Sequence, residues 1–126
     1  MAGARLFLSA GSLLALAAVA IGAFGAHGMK ARLSAEMLAV YQTGVQYHFY
    51  HALGIVLVGM AFFHLPDSPV LRASGWLLIA GIFFFSGSLY ALALTGEKWL
   101  GAIAPIGGTA FILGWATFAW AALRTG

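Results

Sequence analysis

The sequence contains no cysteine and very few charged residues. Without cysteine, disulfide bonds, thiolate nucleophiles and cysteine-based metal sites are excluded. Only three residues are acidic, and charged residues make up 7 % of the 126 residues, against roughly 25 % in average soluble proteins. So few polar groups would leave most of the surface of a soluble domain uncovered. The composition therefore favours a protein that lies within a lipid bilayer.

Apolar residues are abundant, at 63 % of the chain. They fall into continuous runs, each close to the roughly 20 residues that a membrane-spanning helix needs. The predicted spans are residues 6–26, 45–65, 73–95 and 100–123. The sequence therefore predicts one all-α domain over residues 1–126, an integral membrane bundle of four transmembrane helices.

The breaks between these runs have residues that are typical of helix ends. Ser34 and Ser68 are suited to cap helix N-termini, and Pro69 fits the first turn of the third helix. Gly96 is suited to a left-handed C-cap. Pro105 falls in the first turn if the last helix begins at residues 100–102, whereas an earlier start predicts a kink.

The first run has two interpretations. With Arg5 before it and small residues at its end, it resembles a cleaved signal peptide. It is, however, longer than the roughly 7–15-residue apolar core of such peptides. We therefore expect it to be retained as a span.

The positive charges are scattered rather than clustered. A nucleic-acid interface needs them on one face, so we expect no nucleic-acid partner. Four spans place both termini on one side, here called side A, and the opposite side is side B. The two sides carry three basic residues each: Arg5, Arg72 and Arg124 on side A, and Lys30, Arg32 and Lys98 on side B. The N-terminal amine then favours a cytoplasmic side A.

Small residues recur at a spacing of four along the predicted helices. Ala18, Gly22 and Ala26 form such a series in the first span, and Ala104 and Gly108 form one in the last. This spacing favours close helix contacts, although glycine is also common in membrane helices generally. It motivates the leading hypothesis, a non-enzymatic structural or accessory component that acts as a homo-oligomer or within a larger membrane complex.

Polar residues concentrate in the side-B halves of the spans. They are His27, Gln42, Gln46, Tyr47, His48, His51, Ser86, Ser88 and Tyr90. Three interpretations remain open: a hydrogen-bond network that holds the bundle together, a small binding site, or histidines that face lipid headgroups. A binding site would make the protein a small transporter or a protein that binds a proton, a metal, a haem or another ligand. If a metal binds, His27 and His51 are the candidate ligands.

Signals for catalysis are weak. The histidines do not form the H-E-x-x-H zinc motif, and Glu36, Asp67 and Glu97 fall in predicted loops or helix starts. No acid–base pair or nucleophile can be assembled from the sequence. We therefore expect no enzymatic activity, and no cofactor is indicated.

Four ordered segments resemble those of a known family. They are residues 22–28 (GAFGAHG), 41–53 (YQTGVQYHFYHAL), 85–90 (FSGSLY) and 105–108 (PIGG) with Gly114-Trp115. They are similar to the family that includes transmembrane protein 256, which is described as a domain of unknown function, and the match runs from about Leu6 to Leu123. The resemblance implies a compact four-span protein of a bacterial inner membrane or a related organellar membrane, and it implies no reaction. It also implies that seven polar positions are candidates: His27, Gln42, Gln46, Tyr47, His51, Ser86 and Tyr90.

Overall fold

The computed structural model describes residues 2–124, and within this range the chain is helical with no β-strand. Helices α1 and α2 comprise Ala2–His27 and Ala35–Ala61. Helix α3 comprises Pro69–Thr95 and α4 comprises Ala104–Arg124. Short 3-10 segments at Met29–Ala31 and Lys98–Ala102 precede α2 and α4. The predicted all-α bundle is therefore confirmed.

The helix ends follow the local chemistry expected from the sequence. The hydroxyls of Ser34 and Ser68 accept hydrogen bonds from the backbone N–H groups of Met37 and Leu71, both at 3.1 Å. Gly96 ends α3 with a φ of 75°, a conformation that costs glycine little. Each predicted cap is thus present.

Some helix ends differ from the predicted spans. Helix α2 ends at Ala61, before the predicted residue 65, and turns lead from there to the next helix. Helix α4 begins at Ala104 rather than at residue 100, because the preceding residues form the 3-10 segment Lys98–Ala102. Pro105 therefore lies in the first turn of α4, where its missing N–H removes no helical hydrogen bond.

Helix α3 changes its winding near the middle. Between the α-helical parts Pro69–Gly81 and Gly87–Thr95, residues Ile82–Ser86 form a π-helical segment. The backbone N–H of Gly87 bonds to the Ile82 carbonyl, five residues back. Such a segment adds one residue to a helical turn and thereby changes which side chains face each neighbour.

Three helical segments are long and apolar enough to cross a membrane by length and composition: Ala2–His27, Pro69–Thr95 and Lys98–Arg124. Helix α2 falls outside this group because its N-terminal half carries several polar side chains, although it has 27 residues. Helix α1 packs on α2, α2 packs on α3, and α3 packs on α4. Helices α2 and α4 meet mainly through aromatic side chains.

The side-A half of the bundle contains the larger apolar core. There the rings of Phe7 and Phe62 stack with their centroids 5.8 Å apart, and Ile55, Leu71 and Leu78 are fully buried. A smaller cluster in the side-B half includes Met29, Tyr41 and Ala93. The side-B half therefore has less apolar packing and more polar contacts.

Glycines allow the backbones to approach closely. A Cβ atom at Gly11 would lie 2.7 Å from the backbone nitrogen of Val56, and one at Gly59 would lie 2.7 Å from that of Leu8. On α4, a Cβ at Gly107 would overlap the backbone of Phe85. Most helical glycines are therefore occupied by contacts within the bundle rather than left for a partner.

Candidate functional site

The polar residues predicted to cluster separate into groups on different faces of α2. One group fills the contacts of α2 with α1 and α3 and is closed to the surface. A second group lines an open groove between α2 and α4. The remaining residues lie outside both groups: three of them, His27, Gln42 and Gln46, are exposed, and Ser88 is buried within α3.

The closed group consists of hydrogen bonds between helices. The Ser86 hydroxyl on α3 donates to the Gly44 carbonyl on α2 at 2.7 Å. The Tyr41 hydroxyl on α2 donates to the Ile21 carbonyl on α1, also at 2.7 Å. These bonds join three helices at similar depth and satisfy polar groups that lipid cannot.

His48 belongs to this closed group. Its Nδ1 lies 2.8 Å from the Tyr90 hydroxyl on α3, and the residue is only 4 % exposed. Its Nε2 is fully buried and has no hydrogen-bond partner in residues 2–124; the Leu14 backbone of α1 lies near the ring but outside hydrogen-bond geometry. His48 is therefore enclosed between α1 and α3, where no ligand reaches it.

His51 has a different environment although it lies three residues further on. Its Nδ1 is 2.6 Å from the Tyr47 carbonyl oxygen, and its ring stacks on Phe111 of α4 with centroids 3.5 Å apart. A carbonyl oxygen only accepts hydrogen bonds, so Nδ1 must carry the proton. In a neutral imidazole Nε2 is then a bare acceptor.

The Nε2 atom of His51 is neither bonded nor fully enclosed. No other described residue pairs with it, and it is not among the fully buried atoms without a partner, whereas Nε2 of His48 is. The residue as a whole is 7 % exposed. A small opening at this nitrogen therefore leads to the groove.

The groove has a volume of about 430 Å³, within the range of roughly 300–1,000 Å³ usual for ligand sites. Its lining is largely aromatic and apolar. The lining residues are Tyr47, His51, Phe85, Pro105, Gly108, Thr109, Phe111, Ile112 and Trp115.

Only a few polar groups face this groove. The Thr109 hydroxyl is already used, because it donates to the Pro105 carbonyl at 2.8 Å. The Tyr47 hydroxyl has no partner in the described chain, and Tyr47 is 38 % exposed. The groove therefore offers a ligand one hydrogen-bond acceptor, on His51, and one free hydroxyl, on Tyr47, among aromatic side chains.

The other predicted residues lie apart from this groove. His27 is exposed at the end of α1, and Gln42 is exposed on α2. Gln46 donates through its side-chain amide to the Tyr50 hydroxyl at 2.6 Å. The Ser88 hydroxyl donates to the Phe85 carbonyl at 2.8 Å within its own helix.

The structure does not bring the two predicted metal-ligand candidates together. His27 is exposed at the end of α1, while His51 stacks against α4, and no contact joins them. Residues 2–124 contain no group of three histidine, cysteine or carboxylate residues that could hold a metal ion. No contact between these two histidines supports a shared metal site, so the assignment of His27 and His51 as metal ligands stays a prediction.

The aromatic walls of the groove are not evident as part of a site from the sequence alone. Phe111 and Trp115 lie four apart on α4, as Tyr47 and His51 do on α2. Each pair therefore shares a helix face. Two aromatic pairs with this spacing were the available signal, but only tertiary packing shows that they face each other.

Comparisons with known proteins agree on the family. The family described as "Protein of unknown function (DUF423)" matches residues 21–108. The UPF0382 membrane protein YwdK of Bacillus subtilis is 46 % identical over 120 residues, covering 95 % of this chain and 98 % of the relative.

Staphylococcal relatives are similarly close. The UPF0382 membrane protein SSP2132 of Staphylococcus saprophyticus is 48 % identical over 113 residues, covering 88 % of this chain and 91 % of the relative. No solved structure matches the chain. The relatives are membrane proteins, as the composition predicts, and the chain belongs to the DUF423 family of proteins of unknown function.

Proposed function

We propose that this protein is a non-enzymatic component of the bacterial inner membrane that binds a small lipid-soluble molecule in the groove between α2 and α4. The observation that carries the proposal is the free Nε2 of His51 in the aromatic wall of that groove. Polar groups in a membrane interior are normally paired. An accessible, unpaired acceptor there is suited to a ligand.

In this proposal all four helices cross the membrane and both termini lie on the cytoplasmic side. Helix α2 is long enough, and its buried polar side chains, Tyr41, His48 and His51, are directed towards neighbouring helices. The neighbouring helices thereby shield these groups from lipid.

The glycines support a ligand site more than an oligomer. Gly11, Gly59 and Gly107 fit against backbone within the same chain. Gly108 is different, because a Cβ there would meet only the Phe85 ring, at 3.8 Å. A larger side chain at Gly108 would therefore extend into the groove.

This geometry supplies a blocking variant and a matched control. Gly108→Leu should fill the groove, whereas Gly87→Leu adds the same side chain where nothing lies within 4 Å of the Cβ position. The full-length proteins would be purified in native lipid discs, and bound apolar compounds would be extracted and compared by mass spectrometry. We expect a compound retained by the wild type and Gly87→Leu and depleted at least tenfold in Gly108→Leu.

An extract that is the same for all three proteins would contradict the proposal. Circular dichroism and particle size on the same samples check that each variant is folded. If the compound is depleted in Gly108→Leu while the fold of that variant is unchanged, the depletion is due to the filled groove.

A second candidate function is that of an accessory subunit or a homo-oligomer, which the groove between α1 and α2 favours. This groove has a volume of about 450 Å³ and is lined by small residues, Ala18, Gly22 and Ala23, among others. Gly22→Leu should then reduce the particle size or remove a co-purifying partner. Unchanged particle size and composition would count against this candidate.

A further inference from the structure

Three features of the groove restrict what it can bind: one hydrogen-bond acceptor, one free hydroxyl and several aromatic faces. The acceptor is Nε2 of His51, since Nδ1 donates to the Tyr47 carbonyl. The hydroxyl belongs to Tyr47, near the aromatic ring of Phe85 with centroids 4.8 Å apart. No lysine, arginine or carboxylate is among the residues that line the groove.

We infer that the groove binds a ring-bearing, lipid-soluble molecule through a phenolic hydroxyl, which donates its hydrogen bond to Nε2 of His51. This inference rests on the proposed function and names the ligand class. A phenolic O–H supplies the proton that the bare nitrogen lacks. The ring of the ligand would pack beside Phe85, Phe111 and Trp115.

The aromatic walls favour a flat ring over an aliphatic chain. Phe85 and Phe111 tilt against each other with centroids 5.5 Å apart, and Trp115 lies 6.0 Å from His51. Aromatic pairs at such distances gain from offset or edge-to-face contacts beyond simple burial. An anionic lipid headgroup is a poor match, because the lining has no cation to pair with it.

The depth of the acceptor also matters. His51 follows Tyr47 by one helical turn and lies within α2 rather than at its end. A ligand that reaches it must therefore enter from the lipid with most of its surface apolar. A monohydric phenol and a hydroquinone share this chemistry, and each presents a hydroxyl on a ring.

Three matched probes test each part of the inference on the full chain in lipid discs. The first, 4-octylphenol, has the ring and the donor; 4-octylanisole lacks the donor, and 4-octylcyclohexanol lacks the aromatic ring. Binding is measured by equilibrium dialysis against empty discs, which corrects for partition into lipid. We expect the phenol to bind about 3- to 10-fold more tightly than the anisole, the range of one net hydrogen bond. We expect a similar factor over the cyclohexanol, the range of one aromatic contact.

His51→Phe removes the acceptor and keeps an aromatic ring that can stack on Phe111. It should lower the affinity for the phenol to that for the anisole, and His27→Phe, at an exposed position, should change neither. In the wild type, the ¹⁵N resonance of Nε2 should show an unprotonated nitrogen that shifts when the phenol is added. That measurement keeps the inference testable should His51→Phe fail to fold.

The outcomes separate the inference from the proposed function. Equal binding of all three probes, blocked by Gly108→Leu, would overturn the phenol inference and leave the groove as a binding site. Phenol binding that Gly108→Leu does not weaken would overturn both the phenol inference and the proposed function. Both would also be overturned if no probe binds and the lipid extract is the same for the wild type and the variant. A hydroquinone that binds more tightly than the phenol would identify the hydroquinone as the ligand class within the inference.

Discussion

His48 and His51 lie one turn of α2 apart and are almost equally buried, at 4 % and 7 % exposed, yet their surroundings differ. His48 is enclosed by α1 and α3 and bonds to Tyr90 across the helix interface. His51 bonds within its own helix and stacks on a ring of α4 beside an open groove. Burial alone therefore does not distinguish a structural histidine from a ligand-facing one. The bonding of its second ring nitrogen and the space around that nitrogen do.

The largest expected effect concerns two neighbouring glycines of α4, of which Gly107 packs against α3 and Gly108 lines the groove. Gly107→Ala places a methyl group against the Phe85 backbone, which cannot move aside as a side chain can. We expect a loss of about 3 kcal/mol in the free energy of unfolding, the upper part of the usual range for overpacking. The measurement is equilibrium unfolding by SDS in mixed micelles, followed by circular dichroism.

Gly108→Ala is the matched control for that prediction. Its Cβ meets only the Phe85 ring, at an ordinary 3.8 Å. We expect stability within about 0.5 kcal/mol of the wild type, since alanine is also the better helix former. Equal losses of stability for Gly107→Ala and Gly108→Ala would show that Gly107 is not packed more tightly than Gly108.

The next prediction compares the stability effects of substituting His48 and His51. His48→Phe leaves the half-buried Tyr90 hydroxyl without its partner, which should cost about 1–3 kcal/mol. His51→Phe keeps the stack on Phe111 and should cost less than about 1 kcal/mol. Adding Tyr90→Phe to His48→Phe should recover part of the loss in a double-mutant cycle. A larger cost at His51 would reverse the comparison.

Tyr41→Phe tests the closed group at the contact between α2 and α1. It removes the hydrogen bond to the Ile21 carbonyl and leaves the ring in place. We expect a loss of roughly 1 kcal/mol, typical of a hydrogen bond between membrane helices. Tyr50→Phe, which removes only a hydrogen bond from Gln46 at an exposed position, is the control and should change stability less. A neutral Tyr41→Phe would mean that the bond does not hold α1 to α2.

Ser86→Ala should have the smallest effect. The Gly44 carbonyl that receives its hydrogen bond lies within α2 and keeps its helical partner. We expect a loss of about 0.6 kcal/mol in the same unfolding measurement. A loss above about 2 kcal/mol would indicate that this bond is coupled to the His48–Tyr90 pair and not independent of it.

The sequence predicts much of this fold, because its signals are local. Long apolar runs indicate helices, Ser34 and Ser68 cap them, and Gly96 ends one of them. The concentration of polar residues in the side-B halves is also visible in the chain. Each of these features depends on a few neighbouring residues.

The candidate site depends on distant residues and is therefore harder to predict. His48 and His51 lie three residues apart on one helix, so their spacing does not show which of them faces α3 and which faces α4. The partners that decide this, Tyr90 and Phe111, come from other helices. The change of winding at Ile82–Ser86 also alters the phase of α3, which no simple periodicity reveals.

The π-helical segment of α3 has a consequence for insertions and deletions. Before it, the Ser74 hydroxyl bonds to the Gly114 carbonyl on α4; after it, the Ser86 hydroxyl bonds to the Gly44 carbonyl on α2. Regular α-helical winding of the same residues would rotate one half against the other by about 100°. Both bonds then cannot form together. Deleting one residue between 82 and 86 would compensate for that rotation, so a shortened and regularly wound α3 should keep both bonds, whereas one further inserted residue should break one of them.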